Sequence, residues 1–176
     1  MVKYMGPILV VEEIAPSRFF YEQLLGQKVK YDFGPNVTFE GDFAIHLRSH
    51  LQELLGDRTD HPVTRKAHNG ELTFETDEIE SDYQRLKQGA VEFVHGIQEQ
   101  PWGQRVMRLY DPDGHIVEIG EAMEAVVRRF HGQGWSIEQI GEKTAMPREF
   151  IEGAVQEHHR DASQTNGPLA RPSEGR

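Results

Sequence analysis

Gly6-Pro-Ile-Leu-Val-Val-Glu-Glu-Ile-Ala-Pro-Ser17-Arg-Phe-Phe-Tyr-Glu-Gln-Leu-Leu-Gly26-Gln-Lys-Val29 has a counterpart later in the same chain. That counterpart is Glu71-Leu-Thr-Phe-Glu-Thr-Asp-Glu-Ile-Glu-Ser81-Asp-Tyr-Gln-Arg-Leu-Lys-Gln-Gly89-Ala-Val-Glu-Phe93. Each opens with a short β-rich run, passes into a helical pattern and ends at a glycine followed by apolar alternation. Phe20, Leu24 and Leu25 fall on one helical stripe, and Ile79, Tyr83 and Leu86 on the other. Gly26 and Gly89 stand where a left-handed cap ends each helix.

Three strand-like stretches follow each helix: residues 28–33, 36–40 and 43–48 in the first half, and 91–99, 104–110 and 116–121 in the second. Gly34-Pro35, Gly41-Asp42, Pro101-Trp-Gly103 and Asp111-Pro-Asp-Gly114 supply the turns between them. The order βαβββ therefore occurs twice, joined by a polar linker around residues 56–69. The expected fold class is α+β, with two βαβββ modules over residues 1–121 forming a curved mixed sheet around a cavity. From about residue 122 the period turns helical. One helix spans 121–130, Ser136 with Gln139 caps a second, and Pro147 opens a third. Residues 122–160 read as a helix-turn-helix-like appendage, with Phe130, Trp135, Ile140, Phe150 and Ile151 buried. Residues 161–176 read as a disordered tail.

The chain has 176 residues, enough to bury a core without staples. It has no cysteine, which excludes disulfides, cysteine-ligated metals and thiol nucleophiles. With 19 Lys+Arg against 29 Asp+Glu, the net charge of -10 repels phosphate backbones and anionic membranes. No apolar run reaches the roughly 18–20 residues of a membrane span, and Met1-Val-Lys-Tyr-Met-Gly-Pro lacks the charged and apolar regions expected of a signal peptide. The expectation is a soluble cytoplasmic protein with neither membrane nor nucleic acid as partner. In the appendage, five Lys/Arg against six Asp/Glu over residues 123–160 also argue against DNA.

Certain motifs carry a family resemblance. They are Val10-Val11-Glu12-Glu13 leading to Ser17-x-x-Phe20-Tyr21-x-x-Leu24-Leu25-Gly26, then Pro101-Trp102-Gly103-x-Arg105, then Asp111-Pro112-Asp113-Gly114-x-x-x-Glu118. At this separation, inside a duplicated βαβββ pattern, the chain resembles the vicinal oxygen chelate superfamily of glyoxalase I, bleomycin-resistance proteins and extradiol dioxygenases. The likeness covers about residues 5–121. It implies two modules curling around a shared cavity, a small-molecule ligand and, usually, a homodimer.

The resemblance also implies metal-ligand positions, which here hold Gly6, His46, Glu71 and Glu118. Strand alternation puts His46, Glu71 and Glu118 opposite the apolar residues Ile45, Leu72 and Val117. The set departs from the family pattern, since glyoxalase I-like members carry His where Gly6 and Glu71 stand and Glu where His46 stands. One His with two carboxylates suits Mn²⁺, Fe²⁺, Ni²⁺ or Zn²⁺. A metal held by His46, Glu71 and Glu118 would make the protein a lyase, isomerase or dioxygenase, with Glu71 or Glu118 as the catalytic base. The alternative is a metal-free polar cavity that sequesters a ligand. A second constellation, Trp102, Arg105, Arg108 and Tyr110, offers an aromatic plane beside guanidinium groups for a planar or anionic ligand. A third reading is a ligand-responsive regulator acting through the C-terminal helices. No nucleophile elbow, phosphate loop or dinucleotide fingerprint is present.

Overall fold

The computed structural model describes residues 2–56 and 64–165, with side chains as far as residue 156. Strand β1 (Ile8–Val11) leads into helix α1 (Ile14–Phe19), whose last turn widens into a π-helix over Phe20–Leu24. Strands β2 (Val29–Asp32), β3 (Asn36–Phe39) and β4 (Ala44–Leu47) complete the first module. The second repeats the plan with β5 (Glu71–Thr76), helix α3 (Ile79–Gln88), β6 (Phe93–Glu99), β7 (Arg105–Tyr110) and β8 (Ile116–Glu121). The duplicated βαβββ order is thus present. The modules build two four-stranded sheets, β1-β4-β3-β2 and β5-β8-β7-β6, rather than one. In each, the first and last strands pair in parallel and the others antiparallel, so the helix crosses from one sheet edge to the other.

Alternation sorts each strand as the sequence requires. Val11, Val37, Phe39 and Ile45 of the first sheet, and Met107, Leu109, Val117 and Ile119 of the second, join Phe20, Tyr21, Ile79 and Leu86 of the helices in one core. Phe43 bridges the modules, stacking on Phe39 at 4.7 Å and meeting Phe74 edge-on at 5.8 Å. The motif residues lock the halves together. Asp113 accepts from the Ser17 hydroxyl at 2.9 Å and the Glu12 amide at 2.9 Å, while Asp111 accepts from the Tyr21 hydroxyl at 2.9 Å. Burial, then the Asp111 charge and hydrogen bond, hold the Tyr21 phenol well above its usual pKa. The Ser-x-x-Phe-Tyr and Asp-Pro-Asp-Gly pieces therefore bind each other across the modules.

Some boundaries differ from expectation. Residues 48–55, of which 48 is read as a strand end and the rest is left unassigned, form helix α2 (Arg48–Leu55), which continues directly from β4. Positions 57–63 of the expected linker lie outside the described residues. Gly26 has the left-handed φ of +66° expected of it, but at the end of α3 that conformation falls on Ala90, at φ +54°, and not on Gly89. The helix runs one residue further than expected, and Gly89 lets Leu24 approach to 3.3 Å of where a Cβ would stand. An L-residue in this region costs about 1–2 kcal/mol, so Ala90→Gly should raise stability by about 1 kcal/mol in denaturant unfolding.

The appendage comprises α4 (Met123–Gly132), α5 (Ile137–Thr144) and α6 (Arg148–Thr165). Ser136 and Gln139 make the expected reciprocal capping box. Phe130, Ile140 and Ile151 are buried with Val126, Val127 and Ala154, while Trp135 and Phe150 pack partly buried against them. Helix α6 runs into the stretch read as a tail; residues 166–176 lie outside the described residues. Among the described residues, no helix is long and apolar enough to cross a membrane.

Candidate functional site

Each sheet turns one face to its crossover helix and leaves the other open, except where α2 lies over His46 in the first sheet. On the open face of the second sheet, register sets His95, Arg108, Glu118 and Thr73 in one row across β6, β7, β8 and β5. Glu71 stands two residues along β5 from Thr73, on the same face. Arg108 is the centre of this row. Its Nε donates to Glu71 at 3.0 Å, its Nη2 donates to Glu118, and its Nη1 faces the Nε2 of His95 at 3.3 Å. The His95 Nδ1 lies 2.7 Å from the Gly96 carbonyl, an acceptor only. Nδ1 therefore carries the proton, and Nε2 presents its lone pair to Arg108. Glu118 is only 13% exposed, so its bond to the guanidinium is sheltered from water and screening.

Tyr110 follows Arg108 on the same face of β7. Its hydroxyl meets the His68 Nε2 at 2.5 Å, the His68 ring stacks beside it at 5.7 Å, and Lys66 Nζ lies 4.5 Å from the ring centroid. Lys66 and His68 both hold positive φ, 53° and 56°. Next to this group a cleft of about 380 Å³ separates the two modules, with Ile8, Val10, Ala67, His68, His115 and Ile116 among its lining residues. Ile116 pairs with Glu71 and Val10 with His46, so the cleft has the Arg108 row on one flank and His46 on the other. A second cavity, about 420 Å³, opens elsewhere, between Phe19 and Phe20 of the first module and Val91 and Pro112 of the second. It touches the Arg108 face only at Tyr110.

His46 is buried on the open face of the first sheet, with its Nε2 2.8 Å from the Nδ1 of His50 on α2. Burial, and secondarily His50, lower its pKa from the ordinary histidine value. The structure thus brings Glu71 and Glu118 together and keeps His46 apart from them. Among the described residues, no three His, Asp or Glu side chains are grouped closely enough to hold an ion. The fourth position cannot contribute either: Gly6 has φ +120°, and a Cβ there would lie 1.6 Å from the Asp42 carbonyl oxygen. As arranged, the residues do not fit a divalent metal, because a guanidinium already bridges the two carboxylates.

Trp102 and Arg105 lie at the β6–β7 hairpin, away from this face. Trp102, 42% exposed, donates to the Gln104 side chain at 2.9 Å. Arg105 reaches Glu121 with Nη2 at 2.8 Å and Nε at 3.1 Å, and also pairs with Glu80. Arg129 of α4 takes the other side of Glu121, at 3.0 and 2.9 Å. This buried carboxylate therefore ties the appendage to the second sheet. Sequence reasoning missed His95 and His68. Bulges in β6 hide the register that aligns His95 with Arg108, and His68 lies in a linker with no periodic pattern.

Paired βαβββ modules with a cleft between their open faces define a protein of the vicinal oxygen chelate superfamily. The glyoxalase-like domain model matches residues 4–124, and the chain belongs to that family. A protein of unknown function from Agrobacterium tumefaciens C58 is 37% identical, with TM-score 0.61, over 69% of this chain and 95% of that one. A glyoxalase-related enzyme from Fulvimarina pelagi is 20% identical with TM-score 0.58, over 70% and 90% of the two chains. A glyoxalase/bleomycin resistance protein/dioxygenase from Nocardioides is 22% identical with TM-score 0.52, over 69% and 84%. The last two establish likeness of fold alone. No curated protein matches the chain. The family match ends at residue 124, so the appendage is an addition to the family domain.

Proposed function

We propose that this chain binds a small polar molecule in the cleft between its modules, at the end where the lining residue His68 meets Tyr110 and the Arg108 row begins, and without a divalent ion. The observation that supports this best is a cleft of about 380 Å³ flanked by the Arg108 row. Such a volume lies within the roughly 300–1,000 Å³ range of small-molecule sites. Three of the five guanidinium donors are engaged, which leaves two for a carboxylate or carbonyl oxygen of the ligand. Glu71 is the more exposed of the two acids and accepts from a ligand hydroxyl. The chemistry this row supplies is stabilisation of negative charge on a ligand oxygen by Arg108. Hydroxy- and oxo-carboxylates and vicinal diols are the compounds to screen, by calorimetry and thermal shift. A hit should bind at least tenfold more weakly to Arg108→Lys, which cannot keep the three-way fork. Ala67→Trp, on the exposed linker edge of the cleft, should block it without loss of folding. Trp102→Ala should leave it unchanged. Binding that Trp102→Ala weakens and Ala67→Trp spares would place the ligand elsewhere.

The same proposal includes a cytoplasmic homodimer. Ile8 and Tyr31 lie in one row with Ala44 and Thr38 on the open face of the first sheet, and both are more than half exposed. Tyr31 stacks on the exposed Phe33 at 6.1 Å. An apolar sheet face of this kind favours a covering partner. Light scattering should give twice the chain mass, and the double variant Tyr31→Asp, Phe33→Asp should give the monomer mass.

A further inference from the structure

We propose that Arg108 is the resident cation of the second sheet, standing where an ion would be held, and that removing it converts Glu71, His95 and Glu118 into a divalent-ion site. The inference does not depend on a small molecule binding in the cleft.

Three donors of ligand type surround one positive group. Glu71, Glu118 and His95 each address a different nitrogen of the Arg108 guanidinium. Two are carboxylates and the third is an imidazole, a set that suits first-row divalent ions. His95 is already prepared for such a role. Its Nδ1–H is fixed on the Gly96 carbonyl, which fixes the tautomer and aims Nε2 into the row. That outer hydrogen bond is the one by which metal-bound histidines are usually oriented. All of these residues sit on paired strands, so their backbone positions are set by the sheet and not by a loop.

The guanidinium is what prevents ion binding, for two reasons. Its charge offsets one of the two carboxylates, which reduces the attraction for a second cation. Its size also spreads the acceptors, because N–H···O contacts span about 2.7–3.2 Å from three separate nitrogens. Bonds to one zinc ion would instead converge on a point at about 2.0–2.2 Å. This spacing accounts for the absence of a three-ligand cluster among the described residues. Without the guanidinium, two carboxylates of like charge are left on adjacent strands, partly sheltered from water, and a divalent ion is the simplest group to reconcile them.

Calorimetric titration and thermal shift with ZnCl₂ and NiCl₂ test the idea on wild type, Arg108→Met and Arg108→Lys. Wild type should show no stoichiometric binding. Arg108→Met should bind one equivalent at least a hundredfold more tightly than wild type and gain Tm with added ion. Arg108→Lys, which retains a cation, should behave as wild type. Adding Glu118→Gln or His95→Ala to Arg108→Met should abolish the gain. Should Arg108→Met fail to fold, Arg108→Gln, which keeps an amide donor for Glu118, carries the same titration. One equivalent bound by wild type and lost on Glu118→Gln would overturn the proposal. So would a folded Arg108→Met or Arg108→Gln that binds no ion.

Discussion

Replacing Glu121 by Ala should lower stability by about 3–5 kcal/mol, the usual loss when one partner leaves a buried ionic cluster. The residue is 2% exposed and accepts from both Arg105 and Arg129. Arg129 is 18% exposed and spends its remaining donors on the Gly103 carbonyl and Glu99, so the vacated charge cannot turn freely to water. Glu121→Gln should cost less, because the amide fills the space and keeps one acceptor. Burial pushes the Glu121 carboxyl up, but the hydrogen bonds and charges of Arg129 and Arg105 outweigh it and hold the group below its ordinary value. A carboxylate with a depressed folded pKa contributes stability that is present above about pH 4.3, its ordinary value. That contribution is lost as pH falls through the folded value. Denaturant unfolding at pH 7 and near pH 3 should therefore show the gap between wild type and Glu121→Ala closing in acid. A gap that stays constant would mean the loss is one of packing alone.

Asp111→Ala is expected to cost about 3 kcal/mol, because it strands several donors at once. Asp111 accepts from the Tyr21 hydroxyl, the Asp113 and His115 amides and the His115 Nδ1, and each buried donor left unpaired costs about 1–3 kcal/mol. One of the lost bonds, that from the Tyr21 hydroxyl, also joins the two modules, so unfolding should broaden and fall in Tm. His115 gives a separate readout. Burial alone would lower its pKa, but the hydrogen bond and charge of Asp111 outweigh that and leave it raised. Stability from a raised histidine is fully present below about pH 6.5 and is lost as pH rises through the folded value. The deficit of Asp111→Ala should thus be larger at pH 5.5 than at pH 8.5. In an NMR titration, the His115 pKa should fall in the variant. An unchanged His115 titration would show that the aspartate does not govern it.

Of the two acids, Asp111 was within reach of sequence reasoning, whereas Glu121 reads only as the end of a strand. The Asp-Pro-Asp-Gly turn was legible as a motif, but its partners Ser17 and Tyr21 could be assigned only once the modules were packed. Alternation alone put Glu71, Glu118 and His46 on the open faces, because Leu72, Val117 and Ile45 needed the core. What alternation cannot supply is register. Arg108 reads as a free guanidinium beside Trp102 until pairing sets it opposite Glu118, and the bulges in β6 make the position of His95 unreadable. Arg105 has the same appearance in sequence, yet it sits three residues away in the Glu121 cluster. Helix α2 escaped for another reason. It has no buried residue and starts without a break from β4, so neither a cap nor a clean apolar stripe announces it. The π-helical turn at Phe20–Leu24 has no sequence mark either; its Phe20 and Tyr21 are buried in a core built by both modules.

That cross-module lock sets the order in which a new chain can mature. Glu12 and Asp113 are 101 residues apart, so at a synthesis rate of about 5–20 residues per second roughly 5–20 seconds separate their appearance. During that interval the hydroxyls of Ser17 and Tyr21 have no acceptor, and Phe43 lacks the Phe74 ring that later covers it. The first half is therefore a nascent segment with an unfinished apolar surface, the kind of species that chaperones hold and that aggregates when left alone. Contacts this distant along the chain also slow folding from denaturant, because a long loop must close before they contribute. The repeat visible in the sequence is a pair of obligate partners: the later copy finishes the earlier one.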